Sequence, residues 1–223
     1  MIDWNKIETV FLDMDGTLLD LHFDNHFWRE YVPVQYAKLH TITVEDAQTE
    51  LFSRFALAEG TMDWYSVDYW TNELDLDIEA LKHELKHLIR LRPQATEFLD
   101  ALRDLGHRLV LLTNAHNKSL ALKMEVTTLE GHFDCLVCTH DIGLPKENPV
   151  FWEKFQQIED FDKTKTLLVD DSLPVLETAK NYGIKYLLAI AHPDLKSVPK
   201  DTADFDAIHH FSEILPINKC DIP

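Results

Sequence analysis

Glycine is scarce in this chain, six in 223 residues, and cysteine is scarcer still at three. So little glycine leaves no flexible Gly/Ser linker, and neither a low-complexity segment nor an internal repeat interrupts the sequence. The cysteines, Cys135, Cys138 and Cys220, cannot all pair, and nothing else points to an oxidising compartment, so reduced thiols are expected. Long apolar runs are absent too. The longest, such as Tyr186 to Ala191, is far too short to cross a bilayer, and Met1-Ile2-Asp3-Trp4-Asn5-Lys6 lacks the charged-then-apolar order of a secretory signal. A cytoplasmic location with no membrane partner is expected. Positive charge is in short supply: 21 Lys and Arg face 39 Asp and Glu, a formal net charge of −18. That balance repels nucleic acid and anionic membrane, so a phosphate-bearing ligand must be small and must meet local positive charge from a lysine or a metal ion.

What is present is concentrated at Val10-Phe11-Leu12-Asp13-Met14-Asp15-Gly16-Thr17. A fully apolar run fits a strand buried on both faces of a parallel sheet, and ligands of such folds bind beyond the carboxyl ends of the strands, where Asp13 and Asp15 stand. Two acids so close are costly to ionise together unless a cation lies between them, so the pair implies a divalent metal. Taken alone, Asp15-Gly16 between apolar runs also reads as a hairpin turn.

Apolar runs at 7–12, 109–112, 134–138, 166–169 and 185–190 read as strands, and helical periodicity fills the later intervals. The fold class is α/β, with a Rossmann-like parallel sheet. Between the first two runs, apolar and aromatic residues recur at helical spacing, as in Phe23, Phe27 and Tyr31 or Leu81, Leu85 and Leu88. Pro93 suits the opening of a helix from Gln94 to Asp104, and Gly106 its exit. Residues 18–92 are therefore expected to form a small α-helical insert, and 1–17 with 93–223 the core. The length suffices for one sizeable core carrying such a unit.

Three further strand ends carry polar residues. Thr113-Asn114 comes after Leu109–Leu112, with Asn117 or Ser119 able to cap a helix running to about Leu129, an arrangement that suits an anion but also simply ends a strand. Asp141 to Lys146 form a loop before a helix around Val150 to Ile158, so that Lys146, in a residue type usually found on surfaces, reaches the same sheet edge. Leu167-Leu168-Val169 delivers Asp170-Asp171-Ser172 ahead of Pro174, either a helix cap or, with Asp13, a carboxylate set suited to Mg²⁺.

In this order, Asp13-Met14-Asp15-Gly16-Thr17, Thr113, Lys146 and Asp170-Asp171 resemble the four motifs of the haloacid dehalogenase superfamily, over the whole chain. The insert then resembles that superfamily's first-type helical cap. Two of its segments, Leu21 to Trp28 and Trp64 to Trp70, are similar to those of bacterial GMP/IMP nucleotidases, while related caps serve sugar phosphates, phosphoglycolate and pyrimidine nucleotides. The resemblance implies a Mg²⁺-dependent phosphatase acting through an aspartyl-phosphate. Asp13 would be the nucleophile and Asp15 acid and then base, while Thr113, Lys146 and the backbone N–H groups of Met14 and Asn114 would hold the transferring oxygens. The metal would sit on Asp13, the Asp15 carbonyl and the fourth motif. There the sequence departs from the pattern, because Asp170 stands where Gly is frequent and Val175 where an acid is frequent, which favours Asp171 as ligand and Asp170 as its neighbour. Asp15 also speaks against dehalogenase chemistry, which in this superfamily typically lacks that acid.

The insert offers Phe23, Phe27, Trp28, Trp64, Tyr65, Tyr69 and Trp70 as partners for a purine face, most of them expected to be packing. Phe23, Asn25, Trp28 and Trp64 are the substrate candidates, with Asp24 and Arg29 as polar neighbours that could read a base edge or merely face solvent. His83-Glu84-Leu85-Lys86-His87 spells a zinc-protease signature, but both histidines fall opposite the Leu81, Leu85, Leu88 stripe and should face solvent. Cys135 and Cys138 lie in a strand-like run and read as buried thiols rather than a zinc site. A monomer or weak homodimer acting on a small phosphate ester is expected, with a catalytically idle phosphate binder as the alternative.

Overall fold

The computed structural model describes residues 2–215; Cys220 lies outside the described residues. Six strands, β1 (Thr9–Leu12), β2 (Arg108–Thr113), β3 (Cys135–Cys138), β4 (Thr166–Asp170), β5 (Tyr186–Ile190) and β6 (Ala207–Ile208), form one parallel sheet in the order β3-β2-β1-β4-β5-β6. This is an α/β, Rossmann-like architecture. β1 is buried at all four positions, as its unbroken apolar run requires of a central strand covered on both faces. Successive side chains alternate between faces: Val10 and Leu12 join Leu109, Leu111, Phe98 and Leu102 on one side, while Phe11 joins Val110, Leu112, Trp152 and Phe155 on the other. The register sets Leu12 beside both Leu111 and Val169, so the residues leaving β1, β2 and β4 emerge side by side at one sheet edge.

The α-helices of residues 18–92, inserted after β1, are α1 (His22–His26), α2 (Val32–His40), α3 (Val44–Ala58), α4 (Met62–Tyr65), α5 (Val67–Leu74) and α6 (Ile78–Glu84). They enclose a core of their own around Phe27, Leu51, Phe55 and Trp70. Thr43 and Ser66 cap α3 and α5 by accepting the N–H of Asp46 and Tyr69, each at 3.1 Å. The outgoing and returning chains pair where they leave the sheet: Arg92 N–H donates to the Leu18 carbonyl and Asp20 N–H to that of Arg90, both at 2.9 Å. The buried Arg92 guanidinium then bonds the carbonyls of His192, Pro193 and His209.

The remaining helices are α7 (Ala95–Asp104), α8 (Asn117–Thr127), α9 (Phe151–Gln156) and α10 (Leu173–Tyr182). α7 starts one residue later than expected, because Gln94 sits at φ +60° as its cap. α8 is capped by His116, whose Nδ1 accepts the Lys118 N–H at 3.3 Å, rather than by Asn117 or Ser119. It stops at Thr127 because Thr128 turns left-handed at φ +56°. Pro174 stands in the first turn of α10 and Gly183 ends it at φ +104°, where a residue without Cβ is favoured. His83 and His87 are both exposed, the first on α6 and the second on a separate 3-10 turn (Lys86–Leu88), so no continuous helix carries the H-E-x-x-H spelling. Cys138 is buried and Cys135 partly so, and burial pushes the Cys138 thiol up to about 11. No described helix is long and apolar enough to cross a membrane.

Candidate active site

Asp13 leaves β1 with its backbone N–H bonded to the Val169 carbonyl (3.0 Å) and its carboxylate almost fully enclosed. Lys146 arrives from the loop after β3. Its Nζ lies 2.6 Å from Asp13 Oδ1, 2.7 Å from Asp170 Oδ2 and 3.0 Å from the Leu112 carbonyl, so one buried ammonium joins the ends of β1, β2 and β4. Asn114 seats this lysine by accepting its backbone N–H (2.9 Å), and the Asn114 amide donates to Glu147 (2.8 Å). From the insert, Tyr65 donates to the other Glu147 oxygen at 2.7 Å, and burial together with that carboxylate raises the phenol well above its ordinary pKa, keeping it protonated. Thr113 is buried at the end of β2, its hydroxyl accepting the Ala115 N–H at 3.0 Å.

Oxygens of Asp13, Asp170 and Asp171 lie within 4.8 Å of one another. Asp170 accepts from Lys146 and, at 2.8 Å, from the Ser172 N–H, while Lys200 pairs with Asp171 at 3.2 Å. Three carboxylates against two ammonium groups leave the cluster one negative charge in excess, and all its carboxylate donors are hard oxygens, a fit to Mg²⁺. Burial first, then the neighbouring acid, pushes Asp13 up to about 6, and burial raises Asp170 and Asp171 as well. Gly16 makes the approach of Asp171 possible. It sits at φ +85°, and a Cβ there would meet Asp171 Cγ at 2.8 Å. Gly16→Ala is therefore expected to lower the melting temperature of the metal-free protein by several degrees and weaken its response to Mg²⁺ by about tenfold, through roughly 1–2 kcal/mol of backbone strain plus a displaced carboxylate. A thermal-shift titration with MgCl₂ checks this.

Asp15 is paired with a different lysine from Asp13. Its Oδ1 is 2.7 Å from the Nζ of Lys123 on α8, and the same ammonium reaches Asp24 Oδ2 at 2.7 Å, while Lys82 of α6 reaches Asp24 Oδ1 at 3.2 Å. Burial pushes Asp15 up to about 7 against the pull of Lys123. Asp13, Asp15, Thr113, Lys146, Asp170 and Asp171 of the sheet edge open onto one cavity of about 780 Å³, with Asp24, Trp28, Arg29, Glu59, Trp64 and Lys82 among its insert walls. That volume lies in the usual range for small-molecule sites.

The structure thus brings together Asp13, Asp15, Thr113, Asn114, Lys146, Asp170 and Asp171, and sets Asn25, Trp28 and Trp64 on the same cavity. Asn25 is already engaged, donating to Asp194 at 2.8 Å. Met14 is wholly buried in the sheet core and reaches the site through its backbone N–H, which bonds the Asp13 carboxylate, and Phe23 is not on the cavity wall: it packs in the sheet core beneath the ammonium groups of Lys82 and Lys123. Phe27 and Trp70 belong to the insert core, as does the partly buried Tyr69. Sequence pattern alone does not single out Lys82, Lys123, Glu147 or Lys200. Lysine is ordinarily a surface residue, and no local pattern marks one that will be buried by acids distant in sequence.

A family model for haloacid dehalogenase-like hydrolases matches residues 7–183. The chain belongs to this family. As a haloacid dehalogenase-like hydrolase, it is 37% identical over 215 residues to the GMP/IMP nucleotidase YrfG of Escherichia coli, covering 96% of this chain and 97% of that protein. It is also 25% identical to haloacetate dehalogenase H-2 of a Moraxella species, covering 92% of this chain and 97% of that protein. Among solved structures, the HAD phosphatase from Thermococcus onnurineus superposes with a TM-score of 0.76 at 22% identity, covering 93% of this chain and 96% of the other, which establishes the shared fold.

Proposed function

We propose that this hydrolase is a Mg²⁺-dependent phosphatase of purine nucleoside 5′-monophosphates, GMP and IMP, and that residues 18–92 supply the base end of its site while 1–17 and 93–223 supply the chemistry. The observation that carries the reading is one cavity lined by paired acids and a buried lysine from the sheet edge and by Trp28 and Trp64 from the insert. A phosphate needs the first and a flat base suits the second. The relative whose name includes GMP/IMP nucleotidase supports the substrate, since its similarity runs through the insert as well as the sheet. The acidic balance and the absence of a membrane-crossing helix among the described residues suit a small cytoplasmic substrate and a monomer or weak homodimer.

In this reading Asp13 attacks phosphorus, forming an aspartyl-phosphate as the bond to the 5′ oxygen breaks, and Asp15 gives that oxygen its proton. Water then attacks the aspartyl-phosphate and yields a proton to Asp15, which releases phosphate and restores Asp13. A carboxyl raised to about 7 by burial can serve in both directions near neutral pH. Lys146, Thr113 and the backbone N–H groups of Met14 and Asn114 steady the transferring oxygens. Asp13, Asp171 and the Asp15 carbonyl would hold Mg²⁺, with Asp170 fixing Lys146 beside them; the ion supplies charge neutralisation between nucleophile and phosphate.

The test is phosphate release from a panel of nucleoside monophosphates and sugar phosphates, with Mg²⁺ and with chelator, using Asp13→Asn as blank. GMP and IMP are expected to lead by about tenfold or more in kcat/KM, and chelator to abolish release. A sugar phosphate in the lead would discard the purine end, and no turnover above the blank would favour a phosphate binder.

A further inference from the structure

A second buried cation stands beside the proposed acid, and none of the proposed chemical steps uses it. Lys123 projects from α8 with a side chain only 2% exposed, and its Nζ lies 2.7 Å from both Asp15 Oδ1 and Asp24 Oδ2. Lys82, 5% exposed, closes the chain at 3.2 Å from the other Asp24 oxygen. Two ammonium groups and two carboxylates thus stand in one chain of contacts. Lys146 lies against Asp13 and Asp170, whereas Lys123 lies against Asp15 and, from the insert, Asp24. Its direct partner is the residue that must deliver a proton over a short, directed path, where a misplacement of about 1 Å costs on the order of a hundredfold.

We propose that Lys123, held from behind by Asp24 of the insert, is the positioning residue for Asp15: it pins one carboxyl oxygen so that the other faces the leaving oxygen. This rests on the phosphatase reading, and it deepens it by assigning to α8 and α1 the support of the proton donor. Lys123 does not touch substrate. Its loss should therefore matter in proportion to how much the leaving group needs a proton. An alkyl phosphate such as GMP expels a strongly basic alkoxide and needs one; 4-nitrophenyl phosphate expels a stabilised phenolate and does not.

The experiment measures kcat and KM on both esters for wild type, Lys123→Met, Lys123→Arg, Asp15→Asn and the double variant Lys123→Met/Asp15→Asn, with melting temperatures as a check on folding. Lys123→Met is expected to lower kcat on GMP by about 100-fold and on 4-nitrophenyl phosphate by less than about 5-fold, with KM changed by less than about 3-fold, reproducing in weaker form the signature of Asp15→Asn. Lys123→Arg, which keeps a cation in place, should recover at least about tenfold of the loss. In the Asp15→Asn background, Lys123→Met should cost nothing further on GMP, because a residue acting through Asp15 has nothing left to act on. Equal losses on both esters, a change confined to KM, or additive losses in the double variant would overturn the assignment. If Asp15→Asn itself shows no preference for the aryl ester, or wild type hydrolyses neither, the phosphatase reading falls and takes this one with it. If Asp15→Asn shows that preference and Lys123→Met does not, only the role of Lys123 is lost.

Discussion

Asp13→Asn is expected to abolish turnover, by about 10⁴-fold or more, while leaving the metal-free protein as stable as wild type or more so at pH 8. The two halves of this result come from one fact. The Asp13 carboxylate is buried, and burial together with Asp170 raises it to about 6, above the ordinary aspartate value. Because the folded-state value lies above the unfolded one, the stability linked to this group is full at low pH and is lost as pH rises through about 6. Asparagine keeps the shape, can still accept from Lys146, and never ionises, so it escapes that loss; the gap between the two proteins should be smaller at pH 5 than at pH 8 and close only below the ordinary aspartate value. The amide, however, has no lone-pair oxygen basic enough to form the bond to phosphorus. Mg²⁺ should reverse the stability order, raising the wild-type melting temperature more than that of the variant, since it binds the ionised carboxylate. Melting curves at pH 5 and pH 8, with Mg²⁺ and with chelator, run beside a phosphate-release assay, test all of this. A variant that retained turnover would remove Asp13 from the reaction.

The strand ends were legible because four-to-six-residue apolar runs in a parallel sheet have little freedom: β1, β2 and β4 must be buried on both faces, and the residues at their carboxyl ends must emerge on the same edge. Asp13, Thr113 and Asp170 are therefore neighbours in space for reasons visible in the chain. β6 was not legible, since two residues of a strand carry no period and Ala207–Ile208 exists only because β5 offers an open edge. The caps were harder. His116 takes the N-terminal position of α8 by accepting the N–H of Lys118, a role its residue type does not advertise. The insert's aromatics show the limit most clearly: Phe23 and Trp28 sit five apart, about 140° around a helix, so they must face different ways, yet nothing in the spacing says that Phe23 is the one that enters the sheet core and Trp28 the one on the cavity wall. Lys82 and Lys123 are the extreme case. Lys82 is met by Asp24, and Lys123 by Asp24 and Asp15, all remote in sequence from the lysine they pair with.

Lys146→Met is expected to do the opposite of Asp13→Asn in stability while also costing about 10²–10³-fold in turnover. The ammonium is the one cation touching both Asp13 and Asp170 among the described residues, and those acids cannot move to water without dismantling the ends of β1 and β4. Removing it strands buried charge, a loss of about 3–5 kcal/mol for the metal-free protein at pH 8. Lys146 is itself raised above its ordinary value by these acids, so its contribution is present throughout the neutral range. The pH dependence of the variant must come from the carboxylates, whose folded-state values are raised. Its deficit should thus shrink as pH falls toward 5 and they take up protons, and grow as pH rises through about 6. Mg²⁺ should recover part of the deficit by neutralising the same oxygens. The combination of the two changes is decisive. If Lys146 and Asp13 are a coupled pair, Asp13→Asn introduced into Lys146→Met will restore stability, with a coupling energy of about 1–3 kcal/mol, because the second change removes one of the charges the first left unpaired. Additive losses in urea denaturation would mean that Lys146 holds the fold through its stem and its bond to the Leu112 carbonyl, and not through the acids it touches.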